Sequence, residues 1–173
     1  MGYLQNDGER ILDLELVGTF YNQAGEIVGA SITGLPLNSL LPGESSPFDL
    51  SLFAPTGEVA DWSIQVDLAR SRSIDSPSHK LSVQEPTTTP DDFWWTFSGN
   101  VVNDSEETLR MILIVIGLRE TGTGKLVGLV QTLKTGEFLP GSSVEYSLTI
   151  FPDKEFELSN LEDFIHVRGR LIV

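Results

Sequence analysis

The stretch Gly99-Asn-Val-Val-Asn103-Asp104 repeats an earlier one, Gly2-Tyr-Leu-Gln-Asn6-Asp7, and the correspondence continues along the chain. Ile27-Val28-Gly29 is matched by Leu126-Val127-Gly128, and Leu41-Pro42-Gly43 by Leu139-Pro140-Gly141. The segment from Gly2 to Phe53 therefore recurs between Gly99 and Phe151. A chain of 173 residues has the length of one large or two small domains, and the repeat favours two.

Within each repeat, apolar and polar side chains alternate as they do in half-buried strands. Leu12, Leu14 and Leu16 alternate with Asp13 and Glu15, which is the two-residue period of a strand. The same criterion predicts strands at 11–20, 27–32, 48–52, 62–68, 81–84, 94–102, 109–118, 125–131, 144–151 and 163–173. Strands with one polar face indicate antiparallel sheets that bury one side.

These patterns predict an all-β protein with two tandem immunoglobulin-like β-sandwich domains. We place the first domain at 1–70, a Ser-rich linker at 71–79 and the second domain at 80–173. Inside the second domain we expect a loop at 86–92 and one helical turn at 156–164, with Ser159 as its cap and Glu162 three residues on. The second repeat has strand candidates upstream of Gly99 that the first lacks, so we expect the first domain's N-terminal strand to be missing or supplied by another chain.

Composition excludes several classes of function. The chain has 25 acidic residues against 11 Lys and Arg, a net charge of −14, which disfavours nucleic acid as a partner. It has no cysteine, so thiolate zinc sites and cysteine nucleophiles are excluded. The longest apolar run, from Met111 to Leu118, is too short to cross a bilayer, and we expect no membrane insertion by this segment.

The order of the repeated pieces resembles the FxLYD-type domain, an immunoglobulin-like β-sandwich of bacterial and archaeal secreted or membrane-anchored proteins. The first repeat keeps the tyrosine of the motif in Gly18-Thr-Phe-Tyr-Asn22, with Asn for Asp, whereas Val115-Ile-Gly-Leu-Arg119 has lost both. The resemblance implies a non-catalytic structural or protein-interaction module outside the cytoplasm. It is carried by Gly2, Leu4, Asn6, Phe20, Tyr21, Asn22, Gly25, 41–44, Phe48, Leu50 and Leu52, and by Gly99, Val101, Asn103, Gly124, 139–141, Tyr146, Leu148 and Ile150.

Motifs that would carry catalysis are not found. His79 and His166 are isolated, and Gly122-Thr-Gly124-Lys125 lacks the glycine and hydroxyl spacing of a phosphate-binding loop, so we interpret it as a hairpin turn. We therefore predict no enzymatic activity, no cofactor and no metal site. As an alternative, the chain could bind a carbohydrate or a Ca²⁺-dependent ligand through its loops and an exposed Trp. Asp91, Asp92, Asp104, Glu106 and Glu107 are the candidate acids for Ca²⁺. Asn103-Asp-Ser105 matches a glycosylation sequon, but a turn role explains it.

Two features predict an interaction surface. Trp94 and Trp95 must point to opposite faces of their strand, so only one of them can lie in the core. Aligning the repeats places Leu109, Met111 and Leu113 on the core side of the middle strand, and Ile112, Ile114 and Ile116 on its outer face. We predict that these three isoleucines and Trp94 form an interface, covered by the first domain, a second copy or another protein, with cover by a local loop as the alternative.

Overall fold

The computed structural model describes residues 1–8, 11–37, 40–72, 80–91, 93–152 and 158–170, in two compact units, Met1–Asp75 and Ser76–Val173. The boundary falls within the predicted linker, of which residues 73–79 lie outside the described part. Residues 71 and 72, which we had assigned to the linker, belong to the last strand of unit one. Among the described residues, no helix has the length and apolar character needed to span a membrane.

The described residues of unit one form two antiparallel sheets. The smaller sheet pairs β1 (Gly2–Gln5) with β4 (Ser45–Phe48). The larger has the order β3-β2-β5. Its strands are β2 (Ile11–Tyr21), β3 (Ile27–Gly34) and β5 (Asp61–Arg72).

In the part of unit two that the structure describes, there are two three-stranded antiparallel sheets, with the orders β10-β7-β6 and β11-β8-β9. A short 3-10 helix, Leu158–Asn160, precedes the last strand. The strands are β6 (Leu81–Pro90), β7 (Trp95–Asn103), β8 (Leu109–Glu120), β9 (Leu126–Phe138), β10 (Ser143–Ile150) and β11 (Leu161–Arg170).

The chain crosses between the two sheets of each unit in the same order. In unit two, β7 and β10 belong to one sheet and β8, β9 and β11 to the other, which is the crossing pattern of an immunoglobulin-like sandwich. In unit one, β1 and β4 take the places of β7 and β10, and β2, β3 and β5 those of β8, β9 and β11. The prediction of an all-β fold with two tandem immunoglobulin-like sandwiches is confirmed.

Each unit has its own apolar core between its two sheets. In unit one, Leu16 of β2 is fully buried against Phe48 of β4 and its neighbours. In unit two, Ile114 of β8 lies in a larger cluster that includes Phe97 of β7 and Tyr146 of β10. Each fully buried aliphatic side chain of this kind stabilises the fold by about 1.5–3 kcal/mol.

A buried asparagine anchors the same corner of each repeat. The Nδ2 of Asn103 donates to the carbonyl oxygens of Glu107 (2.8 Å) and Phe138 (3.0 Å), while its Oδ1 accepts from the Ser105 amide (3.1 Å). In unit one, the Nδ2 of Asn6 donates to the Leu40 carbonyl oxygen at 3.0 Å. Because Asn103 is fully buried, it is a structural turn residue and not an exposed glycosylation site, as the sequence interpretation predicted.

Both Leu-Pro-Gly segments form tight turns that dock on these asparagines. The amide of Gly43 donates to the carbonyl oxygen of Asn6, and that of Gly141 donates to the carbonyl oxygen of Asn103, each at 2.8 Å. Gly43 and Gly141 have φ of 74° and 76°, a conformation that favours glycine. The repeated motif is therefore a backbone scaffold that joins the strands.

Three local predictions are wrong. Strand β6 continues to Pro90 through the predicted loop, because its pairing with β7 shifts between Gln84 and Thr87. This bulge takes Pro86, which has no amide hydrogen, out of the regular ladder. Strand β4 ends at Phe48, and the half-buried Leu50 and Leu52 follow it.

The third concerns the predicted helical turn. Ser159 lies inside the 3-10 helix and is not its cap. Glu162 belongs to β11, where its Oε1 lies 2.8 Å from the Nε of Arg119 as an ion pair. Glu162, which the sequence interpretation placed three residues after the cap of a helical turn, thus joins two strands. Residues 156 and 157 lie outside the described part.

Candidate binding surface

The predicted isoleucine face lies inside the protein. Ile112, Ile114 and Ile116 are at most 1% exposed and belong to the core of unit two, so the prediction that they form an outer interface is wrong. Their cover is the opposing sheet of the same unit. Met111 and Leu113, which we had placed on the core side, are only half-buried.

An irregularity in β8 explains this error. Leu109 and Ile112 are both buried although they are three residues apart, so the inward alternation shifts between them. The β8–β9 pairing is irregular at the same place, between Leu109 and Met111. Cross-strand partners give the correct alignment of the repeats: Phe20 pairs with Gly29, and Leu118 pairs with Gly128. Ile114 therefore corresponds to the buried Leu16 and not to a polar residue.

The two tryptophans divide as predicted. Trp95 is buried in the core, with its ring stacked on that of Phe97 at 6.2 Å between centroids and an interplanar angle of 26°. Trp94 remains 38% exposed on the other side of the chain. Of the four side chains predicted to form an interface, Trp94 is the one at the surface.

Trp94 belongs to a group of three exposed aromatic side chains, which we call the aromatic cluster: Phe93, Trp94 and Phe151. The ring centroids of Trp94 and Phe93 are 6.4 Å apart, with the planes tilted by 35°. Those of Trp94 and Phe151 are 6.2 Å apart, edge to face at 61°. Such spacings are typical of interacting aromatic rings.

Strand pairing brings the cluster together. Trp95 of β7 is the partner of Ile150 of β10, so the residues just outside this pair, Trp94 and Phe151, meet at the end of the sheet. The Asp91 amide donates to the Trp94 carbonyl oxygen at 2.8 Å and closes the chain reversal that leads into β7. The cluster is therefore placed by backbone hydrogen bonds, at the end of a sheet whose inner face is packed.

The sequence interpretation missed Phe93 and Phe151 as members of a surface. A usable signal was the repeat itself, because Phe151 corresponds to Phe53 and both side chains are exposed. Each of these two aromatic residues directly follows an apolar residue, the buried Ile150 and the half-buried Leu52 respectively.

In the part of the chain that the structure covers, no group of three or more His, Asp or Glu side chains is placed to hold a metal ion. Asp92, one of the five candidate acids, and His79 lie outside that part.

His166 lies on β11 with its ring edge to face with Phe164, at 5.3 Å between centroids. A surface depression of 420 Å³ in unit one is lined by Tyr21, Asn22 and neighbouring turn residues, with Asp61 as its acid.

Tyr146 is a buried titratable group whose pKa shifts clearly. Burial raises the pKa of its phenol above the usual 10.0, and the negative charge of Asp163 raises it further. Its hydroxyl has no hydrogen-bond partner in the structure. The ring is therefore part of the core, and its hydroxyl is an unsatisfied polar atom. Tyr146 pairs with Gly99, whereas the aromatic cluster lies beyond the Trp95–Ile150 pair at the end of the same two strands.

Comparison with known proteins does not assign a family. No family model matches the chain, and no curated protein matches it. A solved structure of a glycosyl hydrolase family 2 member from Bacteroides cellulosilyticus aligns with 95% of this chain, at 8% identity and a TM-score of 0.30. The chain spans 26% of the length of that protein.

Proposed function

We propose that this chain is a non-catalytic interaction module of a secreted or cell-surface protein, and that unit two binds a protein partner through the aromatic cluster. The observation that carries the proposal is the cluster itself, three exposed rings held together at one end of a packed sheet. Aromatic side chains that are positioned before binding are frequent anchors of protein interfaces, because little conformational entropy is lost when they are covered. The extracytoplasmic location is supported by the resemblance to FxLYD-type domains.

The geometry of the rings favours a protein partner over a sugar. A sugar ring stacks on one flat and open aromatic face. Here the neighbouring rings are tilted by 35° and 61° relative to Trp94, so the three present an uneven surface that fits an apolar pocket better than a flat ring. A carbohydrate ligand remains the alternative function, on the strength of the exposed face of Trp94 itself.

Charge indicates the chemistry of the partner. The net charge of −14 favours a partner with basic residues around the pocket that receives the rings, because complementary charge accelerates encounter. Binding should then weaken as ionic strength rises, since salt screens exposed charges beyond about 8–10 Å.

Selection from a phage-displayed random peptide library against the full chain tests the proposal. We expect the selected peptides to pair an apolar segment with Lys or Arg, and to lose at least about tenfold in affinity against Trp94→Ala, which corresponds to about 1.4 kcal/mol. Phe53→Ala, which removes the exposed aromatic side chain of unit one that corresponds to Phe151, is the matched control and should leave their affinity unchanged.

Two other results would contradict a protein-binding role for the cluster. If oligosaccharides on a glycan array bind the chain and lose binding with Trp94→Ala, while no peptides are selected, the carbohydrate alternative is correct. If selected peptides bind Trp94→Ala as well as the unchanged chain, the cluster is not their site.

A further inference from the structure

We propose that Thr88 and Thr89 of β6 are sites of O-linked glycosylation, in which a transferase joins a sugar to the threonine hydroxyl. Both lie in Pro86-Thr-Thr-Thr-Pro90, which we call the threonine segment. The inference goes beyond partner binding by the aromatic cluster, because it assigns a covalent modification to a different strand. It rests on one part of the function proposed above, the location outside the cytoplasm.

The threonine segment has the composition of a glycosylated segment. It holds three consecutive threonines between two prolines and has no charged residue, although the whole chain carries a net charge of −14. Two consecutive threonines occur nowhere else in the sequence. Segments rich in Ser or Thr together with Pro are typical of O-glycosylated stalks. All five residues of the threonine segment are exposed, so a transferase can reach them.

The three threonine hydroxyls differ in their hydrogen bonds. The Oγ1 of Thr87 lies 2.9 Å from the Oγ of Ser98 and donates to the Ser98 carbonyl oxygen at 3.3 Å. Within the described part of the chain, the hydroxyls of Thr88 and Thr89 form no hydrogen bond. The acceptor oxygen must approach the sugar donor closely, and the Thr87 oxygen is held against β7. Thr88 and Thr89 are therefore better acceptors than Thr87.

The backbone of the threonine segment has fewer ladder hydrogen bonds than a regular strand. Its pairing with β7 shifts between Gln84 and Thr87, and neither Pro86 nor Pro90 has an amide hydrogen to donate. At the shift, Glu85 has a φ of 50°, which is uncommon for a residue other than glycine. Parts of a fold with few protected hydrogen bonds open locally at low cost in free energy. The threonine segment can therefore separate from β7 and enter the cleft of an enzyme.

Proline also maintains an extended acceptor. The residue before a proline is disfavoured in the helical region, so Thr89, which precedes Pro90, stays extended when the segment opens. A segment that is already extended loses less conformational entropy when an enzyme binds it in that form. Thr135 of β9 is exposed as well, but its neighbours are Lys134 and Gly136. Thr135 therefore lacks the second feature and serves as a comparison.

The modification is the transfer of one glycosyl group. The threonine oxygen forms a bond to the anomeric carbon of a sugar that is activated as a phosphate ester. The bond from that carbon to the phosphate oxygen breaks, and the phosphate leaves with the electron pair. The hydroxyl proton passes to a base of the transferase. The products are an O-glycosidic bond on the chain and a free phosphate group.

Peptide mapping of the chain purified from the organism that produces it tests the proposal. Trypsin should release Leu81–Arg110 as one peptide, because no other Lys or Arg lies inside it. We expect the mass of this peptide to exceed its sequence mass by one or more sugar units. Fragmentation in the mass spectrometer that keeps the sugar attached should place it on Thr88 or Thr89.

Substitutions separate this assignment from general glycosylation of the surface. The double variant Thr88→Ala with Thr89→Ala should remove the sugar from the peptide. Thr135→Ala is the control and should leave the modified fraction unchanged, because Thr135 has no neighbouring proline. The double variant Pro86→Ala with Pro90→Ala should lower the modified fraction at least about fivefold, since the acceptor is then less extended.

Several results would overturn the inference. A sugar confined to Thr87 or Asn103 would contradict the choice of acceptors, and a mass increase that corresponds to phosphate would contradict the chemistry. An unmodified peptide from a chain recovered outside the cell overturns the inference and leaves the proposed location intact. An unmodified peptide from a chain found in the cytoplasm overturns both.

Discussion

The ring of Tyr146 covers Gly99 on the neighbouring strand, so closely that a Cβ at Gly99 would lie 2.8 Å from the Tyr146 hydroxyl oxygen. In unit one, the ring of Phe48 covers Gly2 in the same way, and a Cβ there would lie 2.9 Å from the Phe48 Cζ. An aromatic ring over a strand glycine fills the space that the missing side chain leaves. The repeated glycine is therefore half of a packing contact.

Gly99→Ala should destabilise unit two. The added Cβ would also lie 3.1 Å from the backbone oxygen of Gln84, which cannot move as a side-chain tip can. Overpacking of this kind costs about 1–3 kcal/mol of the free energy of unfolding, measurable by urea denaturation. Gly34→Ala is the control, because a Cβ there meets no atom within 4 Å, and its effect should stay within about 0.5 kcal/mol. Equal losses in both variants would contradict the packing role of Gly99.

Tyr146→Phe should leave unit two as stable or make it more stable at neutral pH. The Tyr146 hydroxyl is buried without a hydrogen-bond partner, so its removal takes away an unsatisfied polar atom. The repeat already contains the substitution, since Phe48 holds the equivalent position. Urea denaturation of both proteins at pH 8 tests this, and a loss above about 1 kcal/mol would show that the hydroxyl has a partner.

The same variant should change the response to alkali. Because burial first and Asp163 second raise the pKa of Tyr146 in the folded state, the unfolded chain loses this proton at lower pH than the folded chain does. The stability contributed by the neutral phenol is fully present below pH 10.0 and is lost as pH rises through the folded pKa. Denaturation series from pH 8 to 11 should show a steeper loss for the unchanged chain than for Tyr146→Phe.

Ile114→Lys should unfold unit two. Ile114 is fully buried, and a Lys ammonium there would lie in the core without a counter-charge. We expect a loss of more than about 4 kcal/mol, seen by circular dichroism and thermal melting. Leu133→Lys, on the exposed side of β9, should change stability by less than about 1 kcal/mol. A folded Ile114→Lys protein with altered oligomeric state would restore the outer-face interpretation.

Asn103→Ala should cost unit two about 2–4 kcal/mol. The change removes two donations, to the carbonyl oxygens of Glu107 and Phe138, and leaves both part-buried bonds without this donor. Asn6→Ala should likewise destabilise unit one, through its bond to the Leu40 carbonyl oxygen. Separate thermal melting of each variant measures the two effects, and an unchanged melting temperature for either would show that water replaces the amide.

The alternation of side chains was sufficient to predict the fold class and most strands, because each sandwich buries one face of every sheet. It predicted β2 and β10 nearly to their ends. It failed at β6, where the prolines suggested a loop, since a bulge and an edge position allow a strand to contain Pro86. Prolines indicate where a regular ladder is interrupted, and the interruption need not end the strand.

The candidate surface was harder to predict than the fold. That Trp94 and Trp95 lie on opposite sides follows from strand geometry alone. Phe151, however, lies far from Trp94 in the sequence and meets it only through the pairing of β7 with β10. Side-chain clusters at the ends of sheets depend on cross-strand register, which alternation within a single strand does not report.

The irregular pairing between Leu109 and Met111 also limits how the two repeats can exchange sequence. The segment from Asn103 to Leu139 is one residue longer than that from Asn6 to Leu41, and this irregularity lies within it. A chimera that replaces residues 112–118 by residues 14–20 keeps the inward and outward positions of the strand in phase. A chimera aligned by Asn6 and Asn103 would be shifted by one residue, and it would exchange the inward and outward positions of the strand. An exchange of sequence between the two repeats therefore preserves the buried face of this strand only when the exchanged segments are aligned downstream of the irregularity.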